Sequence, residues 1–181
     1  MATGATIHTF TVQLADVDRG VYEDVTLRVA RHPSETDAFM MTRVLAYCLE
    51  FEEGIAFSDG IAATDEPAVH VRDLTGKLTA WIEVGAPDAD RLHRASKLGG
   101  RVAVYTHREL RQFLGPLEGK KIHRAAEIPI YTFGRGFIDA LAERLERRVR
   151  ISLSVTERHL YLDVDGTSLT TVIDEQRLDA A

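Results

Sequence analysis

Polar and apolar positions alternate over residues 5–14, where Ile7, Thr9 and Thr11 lie on one face and Phe10 and Val12 on the other. The same two-residue period returns over 21–29 after the polar break Asp16-Val17-Asp18-Arg19-Gly20, which predicts an opening hairpin. The period then lengthens. Met40, Met41, Val44, Leu45, Cys48 and Leu49 recur at helical spacing and predict a core helix over 35–51. Ser34 is its expected N-cap, with Asp37 three positions later and Glu35 in the first turn, where the helix dipole favours a carboxylate. Cys48 falls on the apolar stripe with no basic neighbour at helical spacing, so it reads as a buried hydrophobe rather than a nucleophile.

Beyond a short strand at 55–57 and a polar loop, 67–74 and 77–85 read as two strands joined at Leu74-Thr75-Gly76. Pro87-Asp88-Ala89-Asp90 opens a second helix and Gly99-Gly100 closes it. A buried strand over 101–106, a helix over 108–114, a strand over 128–133 and a helical pattern over 135–147 follow. The tail alternates over 150–155, 160–164 and 170–173, with Asp165-Gly166 as a turn. The whole predicts one α/β domain with a mixed sheet, antiparallel at its start, parallel around 101–133 and three-layered at its centre, with an extra antiparallel piece at the C-terminus.

Composition narrows the function classes. Six net negative charges make polyanion binding over the whole surface implausible, so any nucleic-acid contact must come from a local basic patch. One cysteine excludes an internal disulfide or a multi-cysteine zinc site. No apolar run reaches the roughly 20 residues of a bilayer span, and residues 1–7 lack a signal-peptide pattern; the expectation is a cytoplasmic protein with no membrane partner.

Candidate chemistry concentrates in the second hairpin. Folding it about its turn sets Glu83 opposite roughly Ala68 and brings the acidic pair Asp65 and Glu66 toward the same end. Trp81 and Glu83 then share one face of the strand, and Ile82 and Val84 the other. Clustered carboxylates suit a hard cation such as Mg²⁺, although a solvated strand end is the plainer alternative. In the helix after Glu83, Arg91, Arg94 and Lys97 form a basic stripe opposite Leu92, Ala95 and Leu98. No histidine spacing, nucleophile elbow, GxGxxG or Walker element occurs.

The stretches Ala30-Arg31-His32-Pro33-Ser34-Glu35-Thr36, Asp65-Glu66-Pro67, Asp73-Leu74-Thr75-Gly76, Trp81-Ile82-Glu83-Val84-Gly85, Pro87-Asp88, Arg91 with Arg94-Ala95, and residues 102–105 together resemble the YaeQ family of bacterial proteins. That resemblance implies an α/β fold of the restriction-endonuclease-like, PD-(D/E)XK type: a mixed central sheet flanked by helices, with a nuclease-like core at about 20–135, an N-terminal hairpin and extra C-terminal antiparallel strands. It also implies a metal site for Mg²⁺, or Mn²⁺, with Glu35 as the helix carboxylate, Asp65 or Glu66 as the first-strand acid and Glu83 as the acid of the (D/E)XK strand.

Two departures bear on activity. Gly85 stands where the motif has lysine, which leaves Lys97 or Arg94 as the charge stabiliser, Lys97 being preferred because a guanidinium cannot deprotonate water. Ala68 offers no ligand opposite Glu83. The expectations are therefore a Mg²⁺-dependent nuclease acting on nucleic acid, or a nuclease-like fold that no longer cleaves and binds nucleic acid through Arg91, Arg94, Lys97 and Arg101, or binds a protein partner.

Overall fold

The computed structural model describes residues 4–58, 65–98 and 100–178. The opening hairpin is present as β1 (Thr6–Asp16) and β2 (Val21–Arg31), paired antiparallel throughout their length. The first helix, α1, spans Asp37–Leu49 rather than starting at Glu35. Its N-cap is Thr36, whose Oγ1 accepts from Phe39 N at 3.1 Å; Ser34 instead lies with its Oγ 2.6 Å from His32 Nδ1. A turn closed by Glu35 N donating to His32 O at 2.9 Å delays the helix, so Glu35 precedes it.

Strands β3 (Ile55–Phe57), β4 (Val69–Arg72) and β5 (Leu78–Val84) follow, then α2 (Ala89–Lys97), β6 (Arg101–Tyr105), α3 (Leu110–Leu114), β7 (Pro129–Thr132) and α4 (Phe137–Ala142). Gly99, expected to close α2, lies outside the described residues; Gly100 has a φ of 110° beside the Thr79 backbone. The chain closes with β8 (Arg148–Thr156), β9 (His159–Val164), β10 (Thr167–Val172) and β11 (Asp174–Arg177). The helices expected over 108–114 and 135–147 are both shorter than their patterns, and β11 was not anticipated because Asp174-Glu175-Gln176-Arg177 has no apolar face.

The expected single mixed sheet is in fact two. Strand β1 pairs in parallel with β8, from Thr9 opposite Arg148 to Asp16 opposite Val155, and so joins the N-terminal hairpin to β8, β9 and β10 in a five-stranded sheet ordered β10-β9-β8-β1-β2. The second sheet has six strands ordered β11-β7-β6-β5-β4-β3, with β5, β6 and β7 parallel and both flanks antiparallel. Both sheets are mixed and the helices are few.

One continuous core joins the inner face of the first sheet, α1, α4 and one face of the second sheet, including Ile82, Val84 and Ala103. The other face of the second sheet, with Trp81, Val102 and Val104, packs on Leu92 and Ala95 of α2 and Phe113 of α3. The order of layers is sheet, helices, sheet, helices. Helix α1 is consequently buried far beyond its apolar stripe, Thr42 and Arg43 included. Cys48 is enclosed as expected, and burial pushes its thiol up to about 12, which leaves it inert. Among the described residues no helix is long and apolar enough to cross a membrane.

Candidate functional site

The register of the second hairpin follows the sequence reading: Val69 pairs with Ile82 and Val71 with Ala80, so Ala68 stands one step further along, across from Glu83. Trp81 and Glu83 share the α2 face of the sheet. Asp88 caps α2 by accepting from Arg91 N at 2.8 Å, and this entry angle carries the Arg91 side chain back onto the end of β5. Trp81 Nε1 donates to Glu83 Oε1 at 2.5 Å and Arg91 Nε donates to the same oxygen at 2.6 Å. The guanidinium also reaches the Glu66 main-chain carbonyl and lies 5.9 Å from the Trp81 ring centre.

Arg91 is therefore not a free phosphate ligand; it neutralises Glu83. Burial pushes the Glu83 carboxyl above its ordinary value of 4.5, against the pull of the Arg91 charge and the Trp81 and Arg91 hydrogen bonds. A carboxylate whose folded-state pKa is raised contributes stability that is fully present below pH 4.5 and is lost as pH climbs through the raised value. Glu83→Gln should remove that component, and urea unfolding of both proteins from pH 4 upward should show a smaller decline in the variant. A parallel decline in the two would mean that Glu83 titrates as it does in the unfolded chain.

Glu35 sits elsewhere. It is buried beside the N-terminus of α1, accepting from His32 N and Arg43 Nη2, each at 3.2 Å, with Arg43 Nη2 3.0 Å from its other oxygen. Arg43 also donates to Ala30 O at 2.9 Å, and its guanidinium carbon lies 5.5 Å from the centre of the Phe57 ring. Burial raises the Glu35 pKa and lowers that of Arg43, and each partner opposes the other's shift. Helix α1 packs on the Ile82 and Val84 face of the second sheet, and Glu83 points to the opposite face. The sheet separates the two carboxylates that the resemblance assigned to one metal site.

Of the remaining candidates, Asp65 is exposed and Glu66 half-buried. Arg94 and Lys97 stand exposed on the outer side of α2. Arg101 is paired: it binds Glu50, the C-cap of α1, and donates to Tyr131 Oη at 3.0 Å, while Tyr105 Oη donates to Glu50 Oε1 at 2.8 Å. Burial opposes the Arg101 charge, but Glu50 outweighs it and raises the pKa. The Tyr105 and Tyr131 rings stack 4.7 Å apart across neighbouring parallel strands. Sequence reasoning missed this Glu50, Tyr105 and Tyr131 cluster, because only the β6–β7 register and the end of α1 bring its members together.

Among the described residues no three His, Cys, Asp or Glu side chains converge as a metal site would require. The described residues do not fit Mg²⁺: Glu83 Oε1 is already bonded to two nitrogens and its charge is paired with Arg91, Ala68 offers no ligand, and Glu35 lies across the sheet. Gly85 has a φ of 88°, and a Cβ there would meet Phe39 Cε2 at 3.2 Å on the α1 side. Its backbone turn, rather than a missing side chain, is what the position provides.

The family model described as YaeQ protein matches residues 1–173. The chain belongs to the YaeQ family. An uncharacterised YaeQ protein of Escherichia coli (strain K12) is 41% identical over 107 residues, and that match spans 59% of each protein. The uncharacterised YaeQ protein of Salmonella typhi is 31% identical over 163 residues, 90% of each. The crystal structure of the YaeQ protein from Pseudomonas syringae superposes with a TM-score of 0.85 at 31% identity, covering 94% of this chain and 95% of that one. The YaeQ protein from Xanthomonas axonopodis pv. citri superposes at 0.87 with 27% identity, over 96% and 98% of the two chains. The two-sheet architecture is thus a YaeQ architecture.

Proposed function

We propose that this YaeQ-family chain uses a restriction-endonuclease-like core as a nucleic-acid-binding scaffold without metal-dependent cleavage. The observation that carries the reading is the closure of Glu83 by Trp81 and Arg91 on the face of the sheet away from Glu35. Arg94 and Lys97, exposed beside that closed site, are the phosphate-binding cations; Arg91 and Arg101, committed to Glu83 and Glu50, position the scaffold instead. The net negative charge keeps the contact local to α2.

The test combines calorimetric titration of Mg²⁺ and Mn²⁺ into the wild type and Glu83→Ala with incubation on mixed DNA and RNA. The expected result is no Glu83-dependent metal uptake and no cleavage. Binding should weaken as salt rises, by a slope of about 0.7–0.9 per phosphate contact, and Arg94→Gln with Lys97→Gln should lower that slope by roughly two contacts. Metal uptake through Glu83 together with cleavage would restore the Mg²⁺-dependent nuclease. Nucleic-acid affinity indifferent to salt and to both substitutions would overturn the proposal, and stoichiometric capture of one protein would then favour a protein partner.

A further inference from the structure

The parallel strands β6 and β7 send their chains to opposite sides of the second sheet. After β6 the chain passes to α3, whose Phe113 joins the core shared with α2; after β7 it passes to α4, whose Phe137, Ile138 and Leu141 join the core between the sheets. Loops that leave adjacent parallel strands in opposite directions cannot cover the strand ends between them. A cleft of about 470 Å³ opens at that divergence, within the range of small-ligand sites.

Its wall is polar and carries charges of both signs. Arg108 from one loop and Arg135 from the other reach it, both exposed, and neither guanidinium makes a hydrogen bond or ion pair among the described residues. His107, next to Arg108 in the chain, also lines the cleft; its Nδ1 is enclosed without a hydrogen-bond partner and its ring stands edge-on to Phe39 at 6.3 Å. Glu109 and Asp139 add carboxylates to the same lining. Burial and the adjacent Arg108 charge hold the His107 pKa below its ordinary value, against the pull of Asp139, which leaves a neutral ring able to share one hydrogen bond.

We infer that this cleft binds a small phosphorylated ligand bearing hydroxyls, of the sugar-phosphate class. The two guanidiniums pair with the phosphate, and the Glu109 and Asp139 carboxylates accept from hydroxyls. The site lies at the ends of β6 and β7 and does not depend on the α2 cations of the proposed nucleic-acid contact.

Amide chemical-shift mapping with ribose 5-phosphate, and with ribose and inorganic phosphate as separate arms, tests it. Ribose 5-phosphate should shift the amides of residues 106–109 and 134–139. Ribose alone should not, and phosphate alone should do so more weakly. Arg108→Gln and Arg135→Gln should each weaken ribose 5-phosphate about tenfold, the loss of one charge-assisted contact, while leaving thermal stability and nucleic-acid binding unchanged. Shifts confined to α2, no shift at all, or affinity kept within twofold in the double variant would overturn the assignment.

Discussion

Arg43→Ala is expected to destabilise the protein by about 3–5 kcal/mol, because it leaves Glu35 as a carboxylate buried without its counter-charge. The side chains of both residues are almost wholly enclosed, Arg43 at 1% and Glu35 at 0% exposure, so water cannot replace the lost partner. Replacing the pair together, Glu35→Leu with Arg43→Met, should recover part of that loss, since apolar residues of similar size often substitute for a buried ion pair at little cost. Recovery should be incomplete. The His32 amide and the Ala30 carbonyl would lose their partners, each at about 1–3 kcal/mol. Urea unfolding of the two variants measures both effects. A loss below about 1 kcal/mol for Arg43→Ala would place the pair with solvent-exposed ion pairs and remove its role in tying the β2–α1 turn to the helix.

Gly85→Lys, which writes the motif lysine back into the strand, is expected to weaken the fold without creating a nuclease. A φ of 88° costs a residue with a Cβ about 1–2 kcal/mol, and moving the Phe39 ring out of the way adds roughly 1–3 kcal/mol. The new ammonium would also leave the backbone on the α1 side, with Glu83 on the other face. Gly85→Ala is the control, as it carries the backbone and Cβ costs without the amine. Thermal unfolding of both variants and a cleavage assay with Mg²⁺ decide the matter; a Gly85→Lys protein of unchanged stability that cleaves nucleic acid would contradict the geometry described for this strand end.

Local chemistry made much of the architecture legible before any coordinates. Alternation about Trp81 separated the Glu83 face from the Ile82 face, and the turn at Leu74-Thr75-Gly76 set Ala68 across from Glu83, as the pairing of β4 with β5 bears out. Asp165-Gly166, the expected turn between β9 and β10, has φ of 47° and 88°, as such a tight hairpin demands. The preceding hairpin gave no such signal. Glu157 and Arg158 adopt positive φ without glycine because Asp18, from the other end of the chain, accepts both their amides at 2.7 and 3.0 Å.

By itself the sequence determined the α/β class, most of the strands and helices, the opening hairpin, the register of the second hairpin and the faces on which its side chains lie. These depend on neighbours two to four residues apart or on one tight turn, and on backbone preferences that act wherever the segment sits. The tertiary structure alone decided that there are two sheets, that α1 is buried with an arginine inside it, that Glu35 and Glu83 face opposite layers, and that Arg91 and Arg101 neutralise acids rather than await phosphate. Each of those outcomes rests on a pairing between distant segments, β1 with β8 or the end of α1 with β6, and such pairings leave no periodic mark along the chain.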